Sequence, residues 1–184
     1  MMRKIFRCLA VGLMIAMLVP FGTASSRAVE AATGDLKARF DYLSAHGNSN
    51  CSTAFLQSIP TMPATARLQG SCCSPMDAGR YAHQIAGLKK YASFQEIPTD
   101  PYDLPAGLAG KLLAAYEQVL TPAEQKAYDA AMRTSAEHGP CCCECWRWHV
   151  YGGLAKILIH DHGFTGTQVA EVWNLSDGCG GTSD

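Results

Sequence analysis

Apolar residues recur every three or four positions along most of the chain, the period of an α-helix with one buried face. The first such stripe after residue 26 contains Leu36, Phe40 and Leu43 and follows Asp35, a favourable helix-capping residue. The later stripes are Tyr81, Ile85, Leu88 and Ala92; Leu108, Leu112, Ala115 and Val119; Tyr128, Ala131 and Met132; Trp146, Val150, Leu154, Ile157 and Leu158; and Val169, Val172 and Trp173. No segment alternates apolar and polar positions over the length of a strand, so a sheet is not expected.

Residues that start and stop helices separate these stripes. In Thr121-Pro122-Ala123-Glu124, threonine is a predicted N-cap, proline suits the first turn, and glutamate completes a capping box. Gly139-Pro140 should end that helix. The next helix is expected to begin at Pro140 or just after it and to stop at Gly163. We therefore predict an all-α fold, a compact bundle of roughly six or seven short helices.

The N-terminal 26 residues predict a secretory signal peptide. Three basic residues within the first seven positions precede an apolar run at 9–21, and small residues follow at 22–26. Cleavage is expected after Ser26, with an alternative position after Ala31. The apolar run is shorter than the roughly 20 residues that a spanning helix needs, and it contains Pro20. We expect an exported protein (periplasmic, extracellular or cell-surface) with no membrane span in its mature chain.

The length and net charge of the chain limit the number of domains and the classes of partner that it can have. The chain has 184 residues, with 15 basic against 16 acidic side chains. Removing residues 1–26 takes away three basic residues and no acidic one, which leaves 12 against 16 and a formal charge of −4. Because nucleic-acid binding needs a basic surface, no nucleic-acid partner is expected. The length suits one domain, which we place at 32–184 as a single helical cysteine-rich unit.

Enzyme motifs are missing from the sequence. It contains no serine-hydrolase elbow, no zinc-protease helix and no phosphate-binding glycine loop. We therefore assign no catalytic residue, and no organic cofactor is indicated. The interpretation leans away from an enzyme.

The cysteine content is the strongest chemical signal. Nine cysteines are present, and Cys8 would leave with the signal peptide. The eight that remain are Cys51, Cys72, Cys73, Cys141, Cys142, Cys143, Cys145 and Cys179. An even number outside the reducing cytosol permits complete disulfide pairing.

Four of these cysteines lie within five positions, in Cys141-Cys142-Cys143-Glu144-Cys145. If the segment is helical, Cys142, Cys145 and His149 share one face, at positions i, i+3 and i+7. Thiolate and imidazole are ligands that Cu⁺ and Zn²⁺ select, and a helix N-terminus favours the thiolate form. The candidate metal ligands are Cys141, Cys142, Cys143, Cys145, His149, Cys72, Cys73 and Cys179.

Three interpretations of these residues remain open. The protein could bind a soft metal ion, Cu⁺ or Zn²⁺, at a Cys/His cluster, and this is the most concrete function that the sequence supports. It could instead be an exported structural or interaction protein stapled by disulfides, with an unidentified exported partner and no metal. Finally, Cys142 and Cys145 have the two-residue spacer of a thiol–disulfide oxidoreductase. The sequence does not set the oligomeric state.

Overall fold

The computed structural model describes residues 23–181, with side chains from residue 34 onward. Residues 1–22 of the predicted signal peptide lie outside this range. Within it there are seven α-helices: α1 (Thr23–Ala45), α2 (Thr53–Ser58), α3 (Ala78–Leu88), α4 (Ala106–Tyr116), α5 (Pro122–Thr134), α6 (Trp146–His162) and α7 (Gly166–Ser176). Two 3₁₀ turns, Ile59–Thr61 and Lys89–Tyr91, continue α2 and α3.

The prediction of a mostly helical chain is confirmed. The predicted capping box is present at α5, where the Thr121 side chain accepts from the Glu124 N–H and Glu124 accepts from the Thr121 N–H. Helix α6 ends at Gly163, as its sequence indicates. Within the described part of the chain, no helix has both the length and the apolar character needed to cross a membrane.

The expectation that the fold contains no sheet is wrong. Two strands, β1 (Arg67–Gln69) and β2 (Asp103–Pro105), pair in antiparallel register, with Leu68 opposite Leu104. Each strand has three residues, which is too short to show the alternation that identifies a strand in a sequence. Both strands lie in the long proline-containing connections, and their pairing depends on contacts distant in sequence.

The expected start of α6 also needs correction. The helix begins at Trp146, and Cys145 is its N-cap with extended backbone dihedral angles. Cys141, Cys142 and Cys143 therefore precede the helix, and the helical-face argument that joined Cys142 to His149 does not hold. The Cys145 N–H donates to the Cys143 carbonyl at 2.8 Å, so the segment before the helix forms a tight bend.

Helix α6 is the centre of the core. Its side chains are buried around most of its circumference, as expected for a helix with neighbours on several sides. It contacts α4, α5, α7 and α2. Four of its side chains are fully buried in the core: Trp146, Val150, Leu154 and Leu158. This packing fixes the start of α6, and with it the bend that carries four cysteines.

An ionic network joins α1 and α3 to the sheet. Arg39 donates to Asp100 at 2.7 Å and to Asp103 at 2.5 Å, and Arg67 donates to Asp103 at 2.7 Å. The Tyr81 hydroxyl donates to Asp100 at 2.9 Å. Burial alone would raise the pKa of Asp103, but Arg67 and Arg39 outweigh that effect and lower it. Both aspartates therefore hold β2 in place through hydrogen bonds that they accept from arginine side chains.

The close crossing of α4 and α6 generates the first prediction. A methyl group added at Gly153 would lie 1.8 Å from the Leu112 carbonyl oxygen, so Gly153→Ala must force the helices apart. We expect it to destabilise the fold by about 1–3 kcal/mol. The control, Gly110→Ala on α4, meets no atom within 4 Å. It should be neutral or stabilising by about 0.5–1 kcal/mol. Urea unfolding followed by circular dichroism measures both, and equal effects would contradict the packing argument.

Candidate metal centre

All eight cysteines from residue 51 onward place their sulfur atoms in one cluster, called the cysteine cluster below. Four segments contribute to it: the residue before the α2 N-cap, the turn after β1, the bend before α6 and the segment after α7. The cluster members are Cys51, Cys72, Cys73, Cys141, Cys142, Cys143, Cys145 and Cys179. Their sulfurs meet although they come from positions up to 128 residues apart (179 − 51).

The outer part of the cluster is centred on Cys73. Its sulfur lies 3.1 Å from that of Cys51, 3.7 Å from those of Cys72 and Cys143, and 3.8 Å from that of Cys142. The Cys143 and Cys51 sulfurs are 3.8 Å apart. Cys51, Cys73 and Cys142 are exposed to solvent. An ion or small molecule in solution can therefore reach this side directly.

The inner part of the cluster is enclosed by the protein. Cys141 and Cys179 form a disulfide and are 1% and 3% exposed. Cys145 is 4% exposed, and its sulfur lies 3.9 Å from that of Cys141. Cys72 connects the two parts, because its sulfur is 3.7 Å from that of Cys73 and 4.0 Å from that of Cys179. The cluster thus has a buried side and an open side.

The turn after β1 is held against the segment that carries Cys51. The Ser49 hydroxyl donates to the Gly70 carbonyl at 3.0 Å, and the Cys51 thiol donates to the Cys72 carbonyl at 3.3 Å. Gly70 has a φ of +75°, and a side chain there would lie 2.5 Å from the Gly47 Cα. Glycine is needed at this position because both its backbone conformation and its close neighbour exclude a side chain.

Backbone hydrogen bonds hold the C-terminal segment to the same turn. The Cys179 carbonyl accepts from the N–H groups of Cys73 and Ser74, at 3.3 and 2.9 Å. The Cys179 N–H donates to Asp177 at 3.0 Å, and Arg80 pairs with the same carboxylate. The position of the Cys179 sulfur is therefore set by α3 as well as by its own disulfide.

The surroundings of Cys145 lower the pKa of its thiol and favour the thiolate. Its sulfur makes no capping hydrogen bond, but it lies at the N-terminus of α6, where unpaired N–H groups favour a negative charge. Its pKa is lowered by interaction with the Cys72 thiol and by the N–H groups of Arg147 and Trp148, which together outweigh burial. The same interaction, followed by burial, raises the pKa of Cys72. Burial also raises the pKa of Cys73 and Cys143.

A buried cation lies beside these thiols. The Arg147 guanidinium, 1% exposed, donates to the Pro101 carbonyl at 2.6 Å and to the Gly70 carbonyl at 2.9 Å. Its hydrogen bonds thus go to neutral oxygens rather than to a carboxylate. Its carbon Cζ lies 4.5 Å from the centre of the Trp146 ring. Its charge lowers the pKa of Cys72, in opposition to the larger effects that raise it.

Five sets of three ligand atoms lie within 4.8 Å of one another among the described residues. Four sets consist of cysteines alone, and the fifth joins Cys141 and Cys179 to the carboxylate of Asp177. The all-cysteine sets are Cys51, Cys73 and Cys143; Cys51, Cys72 and Cys145; Cys72, Cys73 and Cys179; and Cys141, Cys142 and Cys143. These distances suit soft metal ions, which thiolates bind preferentially.

Seven of the eight residues predicted as metal ligands meet in this cluster. The exception is His149, which belongs to none of the five sets and lies edge-on against Tyr116, with ring centroids 4.8 Å apart. The sequence prediction omitted Cys51, whose sulfur belongs to two of the sets. Cys51 is one of the eight cysteines that follow residue 26, and this even number was the signal that could have identified it as a cluster member. In the predicted dithiol pair, the Cys142 sulfur lies 3.8 Å from that of Cys73, and the Cys145 sulfur lies 3.9 Å from that of Cys141.

Comparison with known proteins shows no significant match to a family model, a curated protein or a solved structure.

The position of Arg147 generates the second prediction. Arg147→Lys should destabilise the fold by about 1–3 kcal/mol, because one ammonium group cannot replace the guanidinium on two separate carbonyls and leaves a buried acceptor unpaired. Arg133→Lys on the exposed surface of α5 is the matched control and should change stability by less than about 0.5 kcal/mol. Urea unfolding measures both variants. Equal stability of the two would show that the guanidinium geometry does not matter.

Proposed function

We propose that the protein binds soft metal ions of the Cu⁺ or Zn²⁺ type at the cysteine cluster. One observation carries the proposal: eight sulfurs from four distant segments meet, and six of them are thiols rather than disulfide sulfurs. Thiolate sulfur is a preferred ligand for these ions. Disulfide staples alone would not require one sulfur, that of Cys73, to touch four others.

The open side of the cluster is suited to capturing a metal ion, and the buried side is suited to retaining it. On the open side, Cys51, Cys73 and Cys142 are accessible to an incoming ion. On the buried side, Cys145 lies against the core and favours the thiolate form that a metal requires. The pKa values of the Cys72, Cys73 and Cys143 thiols are raised, so metal binding at these residues should release protons to solvent.

We propose that the protein acts outside the cytoplasm, on the strength of the signal peptide predicted at 1–26. Helix α1 runs through both predicted cleavage positions, so cleavage would shorten it. Leu36, Phe40 and Leu43, through which α1 packs on Tyr81 and Tyr102, lie beyond both positions. The mature chain would therefore keep this packing and all eight cluster cysteines. In an oxidising compartment, bound metal would also protect the thiols from oxidation.

A disulfide-stapled exported protein is the second candidate, and the Cys141–Cys179 disulfide favours it. Further oxidation could join neighbouring sulfurs such as those of Cys51 and Cys73, which are 3.1 Å apart. If all eight cysteines were joined in disulfides, no thiolate would remain to bind a metal. The two candidates therefore differ in free thiols and metal content, and both can be measured on one sample.

The third prediction separates these candidates. The full chain, with Cys8→Ser so that only cluster cysteines remain, is purified natively from an exporting host. Metal analysis, thiol alkylation and intact mass are measured on that sample. Metal binding predicts stoichiometric soft metal, with three or more cysteines that become alkylated only after a chelator removes it. Eight oxidised cysteines without metal would overturn the proposal and establish the stapled protein.

The fourth prediction tests which residues are ligands. Cys73→Ser removes the sulfur that touches four others and should weaken Cu⁺ or Zn²⁺ binding by at least about tenfold. His149→Ala should leave affinity within about twofold, because His149 contacts Tyr116 rather than the sulfurs. Competition with a chromogenic chelator gives both affinities. A larger loss for His149→Ala would assign the site to the α6 face and contradict the cluster.

A further inference from the structure

We infer that the cysteine cluster holds several Cu⁺ ions in three-coordinate, thiolate-bridged positions, and that the Cys141–Cys179 disulfide controls how many. Two positions are complete while this disulfide is closed, and four are complete after it is reduced. The inference rests on the proposed function, since it requires that the cluster bind metal. It adds the identity of the ion, the number of ions and the regulation of their binding.

Shared sulfurs make the site polynuclear. The four all-cysteine sets together use all eight sulfurs of the cluster. Cys51, Cys72, Cys73 and Cys143 each belong to two sets, whereas the other four cysteines belong to one. A thiolate sulfur has several lone pairs and can bridge two metal ions. The arrangement thus provides four bridging and four terminal sulfurs for four ions in adjoining triangles.

The number of ligands in each set favours Cu⁺ over Zn²⁺. Every set found among the described residues contains three ligand atoms. Zn²⁺ in structural sites takes four ligands in a tetrahedron. Cu⁺ is a soft, singly charged ion with a filled d shell, and three thiolates complete a stable trigonal site. The nearby guanidinium of Arg147 offsets part of the excess negative charge that thiolates bring to the buried side.

The disulfide removes two of the four positions. Cys141 and Cys179 are bonded to each other, so neither can supply a thiolate. One of them belongs to the Cys72–Cys73–Cys179 set and the other to the Cys141–Cys142–Cys143 set. The two remaining sets share Cys51 and need neither residue. The oxidised protein therefore offers two adjoining positions.

Reduction by a small dithiol restores the other two positions. The dithiol gives up two electrons and two protons and becomes a disulfide, while the Cys141–Cys179 bond breaks and each sulfur receives a proton. Cu⁺ then displaces these protons as it binds. A disulfide oxidant reverses the change: the Cys141 and Cys179 thiolates give up two electrons and form their bond, the oxidant takes these electrons and two protons from water to become a dithiol, and the Cu⁺ ions that these thiolates held are expelled. The cluster would accordingly release Cu⁺ on oxidation.

The closing experiment counts Cu⁺ ions on the full Cys8→Ser chain in two redox states. One sample keeps the disulfide, as verified by alkylation and intact mass. The other is reduced with a dithiol, which is then removed without oxygen. Anaerobic Cu⁺ titration against a chromogenic chelator, with native mass spectrometry, should give two ions in the first sample and four in the second. Equal non-zero counts would overturn the inference but leave the proposed function intact, whereas no bound metal in either state would overturn both.

Two matched variants test the assignment of sulfurs to positions. Cys142→Ser removes a terminal sulfur from one set, so it should bind two ions before reduction and three after it. Cys51→Ser removes a bridging sulfur from both sets that survive oxidation, so it should bind none before reduction and two after it. Circular dichroism confirms that each variant is folded. Identical counts for the two variants would contradict the bridged arrangement.

Discussion

The buried guanidinium of Arg147 is the contact on which the geometry of the centre depends. It lies in the first turn of α6, stacks on Trp146 and donates to the carbonyls of Gly70 and Pro101. One side chain thus joins the start of the central helix to the connections that follow β1 and precede β2. Because Cys72 and Cys145 lie within two residues of these contacts, the same hydrogen bonds position their sulfurs. The absence of a carboxylate from these bonds leaves the positive charge available to nearby thiolates.

The other segments of the cysteine cluster pack around the contacts that Arg147 makes. The Cys179 carbonyl receives two backbone hydrogen bonds from the turn after β1, and α3 holds Asp177 through Arg80. The bend before α6 lies against the same turn. Backbone hydrogen bonds therefore join three of the four segments, and the Arg147 side chain joins the start of α6 to the same turn, so the sulfurs meet. A preorganised group of thiols lowers the entropy cost of ordering ligands around an ion.

The exposed and the buried cysteines of the cluster differ in their chemistry. The exposed cysteines offer access, and the buried ones offer protection from water and a local field that favours thiolate at Cys145. The disulfide belongs to the buried side, and its oxidation state decides whether Cys141 and Cys179 are available as thiols. Under the proposed function, this one bond links the number of bound metal ions to the redox state.

The sequence alone predicts the helical class, the capping box at Thr121, the stop at Gly163 and the richness in cysteine, because these depend on local spacing and residue type. It misplaced the start of α6, so it grouped His149 with cysteines that precede the helix. It also missed the two short strands and omitted Cys51 from the ligands. Which sulfurs meet is known only from the folded chain, since it depends on hydrogen bonds of the backbone and of Arg147 between segments far apart in sequence. No periodicity within one segment records that pairing.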